Sequence, residues 1–187
     1  MAVFVVCGAF AQRNYHGQAS FQWGAKAGLN ISKLTNLGVD MKPSIYAGVF
    51  AEFGVTHWMG IQPELVYSRQ GFKTEFEGIS HKFRYNYLNL PILAKFYIWD
   101  KLSFDTGPQF GILLNATDKY KQDGEKTKAD IEDAKNFDVS WALGVSYRFG
   151  GNYDISFRYN LGLMKVHDIE GDKPKNSVIQ IGMGYRF

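Results

Sequence analysis

A chain of 187 residues, 45% hydrophobic and 21% charged, has the length of one domain and too much apolar content for a disordered segment. Its 16% aromatic residues and 20 glycines point to strands and turns, and its negative mean hydropathy excludes a bundle of membrane helices. The net charge of +3 comes without a Lys/Arg block that could track a phosphate backbone, which argues against nucleic acid as a partner.

The chain opens on MAVFVVCGAFA, Met1 to Ala11, an apolar stretch far short of the ~20 residues a membrane helix needs. Ala9-Phe10-Ala11 before Gln12 is a small-x-small pattern suited to signal peptidase. Residues 1–11 are therefore expected to be a signal peptide truncated of its basic region, cut between Ala11 and Gln12. A periplasmic arm is expected over 12–21, and a barrel domain over 22–187. The alternative for residues 1–11 is a strand or buried arm. Cys7, the single cysteine, lies in the segment to be removed, and Val5 and Val6 before it make a poor lipidation signal. No other apolar run is long enough to cross a membrane as a helix, so any crossing must use strands.

From Phe21 onward, period-two alternation recurs eight times. The first segment sets Trp23, Ala25, Ala27, Leu29 and Ile31 against Gln22, Gly24, Lys26, Gly28 and Asn30. The second sets Ile45, Val49 and Phe53 against Tyr46, Phe50 and Glu52, and the third Ile61, Leu65 and Tyr67 against Gln62, Glu64 and Ser68. In the fourth Leu88, Leu90, Ile92 and Phe96 oppose Asn89, Leu93 and Lys95, and in the fifth Phe104, Phe110 and Ile112 oppose Asp105 and Gln109. The sixth sets Trp141, Val145 and Phe149 against Asp138 and Arg148. The seventh sets Ile155 and Phe157 against Asp154 and Arg158, and the eighth Ile181, Met183, Tyr185 and Phe187 against Gln180 and Arg186.

All the charge falls on one face. Lys26, Lys95, Arg148, Arg158 and Arg186 match Glu52, Glu64, Asp105, Asp138 and Asp154, so the signs cancel. An eight-stranded barrel has too little interior for the bulky apolar face, whereas the Gly, Ser, Asn and Gln of the other face fit. The apolar face must then look outward into outer-membrane lipid, and the ten charges form a paired structural network in the lumen. Connections alternate: short at 54–60, 99–101 and 150–152, long and polar at 33–43, 71–84, 116–136 and 165–176. That is the pattern of three periplasmic turns and four external loops, with both termini in the periplasm. Trp23, Trp58, Trp99, Phe149, Tyr185 and Phe187, together with Phe53, Phe96, Tyr97 and Tyr153, gather toward the turn side as an aromatic girdle. The fold expected is all-β: an eight-stranded antiparallel up-and-down transmembrane barrel. Pro63, Pro91 and Pro108 sit inside strands of a barrel with no free edge, so a bulge or a lost ladder bond is expected at each.

Several segments carry a family resemblance: GAKAGLNIS (Gly24–Ser32), IQPELVYSRQG (Ile61–Gly71), YLNLPILAKFY (Tyr87–Tyr97), GPQFGILL (Gly107–Leu114), WALGVSYRF (Trp141–Phe149) and IQIGMGYRF (Ile179–Phe187). They resemble the PorT-like outer-membrane β-barrel family of Bacteroidota, from about Trp23 to the end. The resemblance implies location and fold more than activity, with a link to secretion in one member. Tyr185 and the terminal Phe187 resemble the signal by which the barrel-assembly machinery recognises its clients.

No catalytic pattern stands out. His16, His57, His81 and His167 lack metal-ligand spacing, and no serine sits in a nucleophile elbow. The Asp-, Glu- and Lys-rich stretch from Asp118 to Asp138 reads as a solvated external loop. Neither a metal nor a cofactor is expected, and the chain is not expected to be an enzyme. The first reading of function is a structural or accessory barrel working with an envelope protein partner. The alternatives are a narrow transport pathway and a lipid-modifying enzyme, for which His81 and His167 are the only candidate bases.

Overall fold

The alternating segments become strands that pair antiparallel, because period-two patterning puts one chemistry on each face of a sheet. The computed structural model describes residues 21–34, 40–76, 79–122, 125–130, 137–163 and 176–187. Its strands are β1 (Phe21–Leu34), β2 (Asp40–Gly54), β3 (Met59–Phe76), β4 (Ile79–Trp99), β5 (Leu102–Gln122), β6 (Glu125–Asp130), β7 (Phe137–Phe149), β8 (Tyr153–Gly162) and β9 (Asn176–Arg186). Eight of them close a ring in the order β1-β2-β3-β4-β5-β7-β8-β9. The last strand returns to the first, from Gly24↔Arg186 to Leu34↔Asn176. Strand β6 stands outside the ring and pairs with the far end of β5.

The ring is inside-out relative to a water-soluble protein. Leu29, Ile45, Val49, Leu65, Phe157 and Ile181 are 46–58% exposed, while Lys26, Glu64, Lys95, Asp105 and Arg158 are only 2–8% exposed. A continuous apolar belt of this kind requires lipid around it, and the polar face is sealed in the lumen.

The prolines resolve in one way. Around Pro63 the β2–β3 pairing skips from Phe50↔Glu64 to Phe53↔Ile61. Around Pro91 the β3–β4 pairing skips from Pro63↔Ile92 to Val66↔Asn89. Opposite Pro108 the β4–β5 pairing skips from Pro91↔Gln109 to Ala94↔Thr106. The register is the same on both sides of each gap, so each missing N–H interrupts the ladder without a bulge. The irregularities lie elsewhere, between Met41 and Tyr46, Asn86 and Tyr87, and Tyr97 and Trp99.

The two rims differ. Short turns join β2 to β3, β4 to β5 and β7 to β8; the last uses Gly150 and Gly151 at φ 56° and 83°, a left-handed backbone that favours glycine. At the other rim the loops expected at 71–84 and 116–136 are largely strand. Strands β3 and β4 run on to Phe76↔Ile79, and β5 continues to Gln122 before β6 turns back along it. No apolar alternation marks these arms in the sequence, which is why they read as loops. The barrel also starts one residue early: Phe21, assigned to the arm, pairs with Phe53. The signal segment with its Ala11–Gln12 cleavage site, the arm from 12 to 20, Cys7, His16 and His167 lie outside the described residues.

Candidate functional site in the barrel interior

The lumen is where the sequence concentrates chemistry, and it is layered along the barrel axis. At mid-height Glu64 of β3 accepts from Lys26 Nζ of β1 at 3.0 and 3.1 Å, and from Arg158 Nη1 and Nη2 of β8 at 2.9 and 2.8 Å. Gln62 Nε2 donates to the same carboxylate at 2.7 Å. Strands β3 and β8 are diametrically opposite in the eight-membered ring, so the Arg158–Glu64 fork ties one wall to the other through the centre.

Toward the short-turn rim lies a second cluster. Arg186 of β9 donates Nε to Asp154 Oδ2 at 2.7 Å and Nη1 to Glu52 Oε2 at 2.8 Å and Gln22 Oε1 at 2.7 Å. Tyr97 donates its hydroxyl to Glu52 and accepts from Arg148 Nη2 at 3.4 Å, and Arg148 Nε stands 3.7 Å from Asp154 Oδ1. On the adjoining wall Lys95 Nζ donates to Asp105 at 3.0 Å, and the Ser103 and Ser146 hydroxyls donate to the same carboxylate. Toward the hairpin rim the layer is built mainly of amides and hydroxyls. Asn30 Nδ2 donates to Ser68 Oγ and the Arg69 carbonyl, both at 2.9 Å, and Asn30 Oδ1 accepts from Gln180 at 2.9 Å. Gln109 Nε2 donates to Ser140 Oγ at 3.1 Å.

All ten expected lumen charges thus lie on inward-facing positions. Nine join ion pairs: Lys26, Glu64 and Arg158; Lys95 and Asp105; Glu52, Arg148, Asp154 and Arg186. Asp138, near the hairpin rim, has no ion-pair partner among the described residues. Two aromatic rings complete the filling. Phe50 lies over Gly24, where an added Cβ would fall 2.6 Å from the ring. Tyr46 lies over Gly28 and Gly182, where an added Cβ would fall 2.8 Å from ring atoms. The Arg186 guanidinium also sits 5.4 Å from the centre of the Phe50 ring.

The rim aromatics divide. Trp23 stacks on Phe187 at 4.4 Å, Phe149 on Tyr153 at 5.7 Å and Trp58 on Phe96 at 6.0 Å, while Tyr153 meets Tyr185 edge-on at 5.1 Å. Trp99 is 71% exposed on the outside. Tyr97 is the exception: it belongs to the lumen cluster, not to the girdle. The odd-numbered run Leu93, Lys95, Tyr97 would have shown this; the irregularity after Tyr97 then turns Trp99 outward.

For the histidines, His57 is exposed in a short turn, and His81 lies on β4 opposite Thr74 and Tyr120. Among the described residues no group of three or more His, Cys, Asp or Glu could hold a metal ion.

One protein-family model, described as the outer membrane protein beta-barrel domain, matches residues 10–168. Among solved structures the chain is similar to Ail, the attachment invasion locus protein of Yersinia pestis, in a complex with the heparin analogue sucrose octasulfate. The identity is 16%, with 91% of this chain and 100% of that one covered and a TM-score of 0.54. It is similar to Neisserial surface protein A at 12% identity, 91% and 100% coverage and a TM-score of 0.55. CarO2 of Acinetobacter baumannii gives 10%, 91%, 100% and 0.51. At such identities the likeness concerns the fold alone. No protein of curated function matches the chain.

Proposed function

We propose a function on one premise: the chain belongs to the outer membrane protein beta-barrel domain family, a family of the bacterial outer membrane. On that premise the protein is a rigid, non-conducting barrel that anchors and displays its long hairpins. The observation that carries this is the Arg158–Glu64–Lys26 bridge, which spans the lumen between opposite walls, with polar side chains packed above and below it. An eight-stranded barrel has room for little else inside. The test is conductance of the purified barrel in a planar bilayer. No unitary current is expected, and stable ion steps would replace this reading with the narrow-pathway one.

The finer assignments follow from the same frame. Both termini are periplasmic, because the short turns and the chain ends share a rim; protease added outside whole cells should cut within the hairpins and spare a terminal tag. The terminal strand ending at Phe187 is the barrel-assembly signal. The resemblance to PorT-like proteins supports an accessory role in secretion, with the hairpins holding an envelope partner; crosslinking in the native membrane would identify that partner.

A further inference from the structure

We infer that the hairpin-side lumen contains a binding notch for a primary ammonium group on a short apolar stem, built on Asn89, Gly111 and Asp138. These residues form one inward-facing row across adjacent strands: Asn89 of β4 opposes Gly111 of β5, which opposes Asp138 of β7. The glycine leaves the centre of the row without a side chain, between two residues about 10 Å apart at two strand spacings. Both neighbours lean over the gap. A Cβ added at Gly111 would fall 2.8 Å from Asn89 Oδ1 and 3.6 Å from Asp138 Cβ. Phe50 and Tyr46, the rings that fill the lumen elsewhere, lie over Gly24, Gly28 and Gly182 of β1 and β9. No ring atom is among the nearest neighbours of an added Gly111 Cβ.

Two unmade interactions select the occupant. The Asp138 carboxylate accepts from the Val139 N–H but has no ion-pair partner among the described residues, whereas the other nine lumen charges are paired. Asn89 is only 2% exposed, its Nδ2 has no partner, and its Oδ1 overhangs the gap. A half-buried carboxylate beside an amide oxygen is a pair of acceptors, which favours a cation that carries N–H donors. The Asp138 main-chain oxygen, 3.7 Å from the same added Cβ, stands at the edge of the gap. One carboxylate balances a single positive charge. Ca²⁺ takes about six to eight oxygens, more than this row supplies.

The next row toward the hairpins accounts for the stem. There Tyr87 opposes Leu113. Leu113 is half-buried on the inward face, between Ile112 and Leu114, which are 53% and 55% exposed on the outside. It is an apolar side chain on an otherwise polar wall. Tyr87 is near enough to Asp138 for the hydroxyl and the carboxylate to interact electrostatically. Asn89 and Gly111 are buried, while Asp138, Tyr87 and Leu113 are half-buried, so the notch opens toward the hairpins. An alkyl chain leaving the ammonium then runs out against Leu113 and Tyr87. Deeper in the lumen the Arg158–Glu64–Lys26 bridge bars the way, so the occupant enters and leaves by one rim.

The test uses the full chain folded in detergent micelles, where both rims meet solvent, so its outcome does not depend on which rim faces out. n-Butylammonium, 1-butanol and tetramethylammonium are each titrated into the parent barrel and into D138N and G111A. Saturable shifts of the amide NMR signals of Asn89, Gly111 and Asp138 report binding, and a heat-shift gel confirms that each variant is folded. n-Butylammonium should bind about tenfold more tightly than 1-butanol, which lacks the charge, or tetramethylammonium, which lacks N–H donors. D138N should abolish that preference, and G111A, whose methyl group occupies the notch, should weaken n-butylammonium about tenfold. D138N keeps the shape of the site, so it decides the matter even if G111A does not fold. Equal binding of 1-butanol or tetramethylammonium, or an unchanged preference in folded D138N, would overturn the proposal. So would the absence of any saturable shift, which would leave the notch to water, or displacement of n-butylammonium by Ca²⁺, which would make it a metal site.

Discussion

The two halves of the lumen solve the same problem with different chemistry. The half from mid-height to the short turns is built of ions: Glu64 between Lys26 and Arg158, Arg186 between Glu52 and Asp154, and Lys95 on Asp105. The half toward the hairpins is built of amides and hydroxyls, with Asn30, Ser68, Gln180, Gln109 and Ser140 linked in short chains. A buried ion missing one partner keeps its full desolvation penalty, whereas an amide missing one loses a single modest bond. Geometry should therefore be stiffer, and substitution harsher, in the ionic half. Among the described residues, buried side-chain atoms without a hydrogen-bond partner occur in both halves: Asn89 Nδ2 and Asn160 Oδ1 toward the hairpins, Gln62 Oε1 and Arg148 Nε in the ionic half.

The sharpest way to break the contrast is at its centre. Glu64→Gln leaves Lys26 and Arg158 facing each other in the interior and should lower stability by about 3–5 kcal/mol, read as the urea midpoint of the barrel folded in vesicles. A loss under about 1 kcal/mol would mean that water already fills this level of the lumen. Next is Arg186→Met, which leaves Glu52 with the Tyr97 hydroxyl and Asp154 with the longer Arg148 contact. Its cluster lies near the rim, where solvent relieves part of the penalty, so about 2–3 kcal/mol is expected in the same titration.

Gly182→Ala probes the packing between the two halves. The new methyl group meets the Tyr46 ring, and a loss of about 1–3 kcal/mol is expected. Combining it with Tyr46→Ala should recover part of that loss, which separates ring contact from general strain. In the neutral half Asn30→Ala removes two donated bonds and one accepted one, and about 1–2 kcal/mol is expected. The smallest effect belongs to Asp138→Asn. With no ion-pair partner among the described residues, this change should shift the midpoint by less than about 1 kcal/mol, toward greater stability. If it proved as harmful as Glu64→Gln, Asp138 would have to hold a charged partner in the membrane-bound state.

Much of the architecture was legible because lipid enforces it. A strand that crosses a membrane must be apolar on one side along its whole length, so the alternation through Leu29, Leu65 and Phe157 is long and unbroken. The same rule marked all ten charged lumen positions. It failed above the membrane, where nothing forces a period of two: residues 71–76 and 79–84 read as loop but continue β3 and β4. It also misassigned Tyr97, because an aromatic near a rim reads as girdle unless its parity is followed through Leu93 and Lys95.

The sequence by itself determined the eight strands of the ring and the inward face of the ten lumen charges, since both depend on local parity and on the volume of an eight-stranded interior. Only the tertiary structure decided who pairs with whom. Glu64 meets Arg158 because β3 and β8 come to lie on opposite walls, 94 residues apart in the chain. Asp138, on the same inward face, has no ion-pair partner among the described residues, which its parity did not foretell. Register did the rest: the uninterrupted phase through three prolines depends on how far each strand slides along the next, which parity alone does not specify.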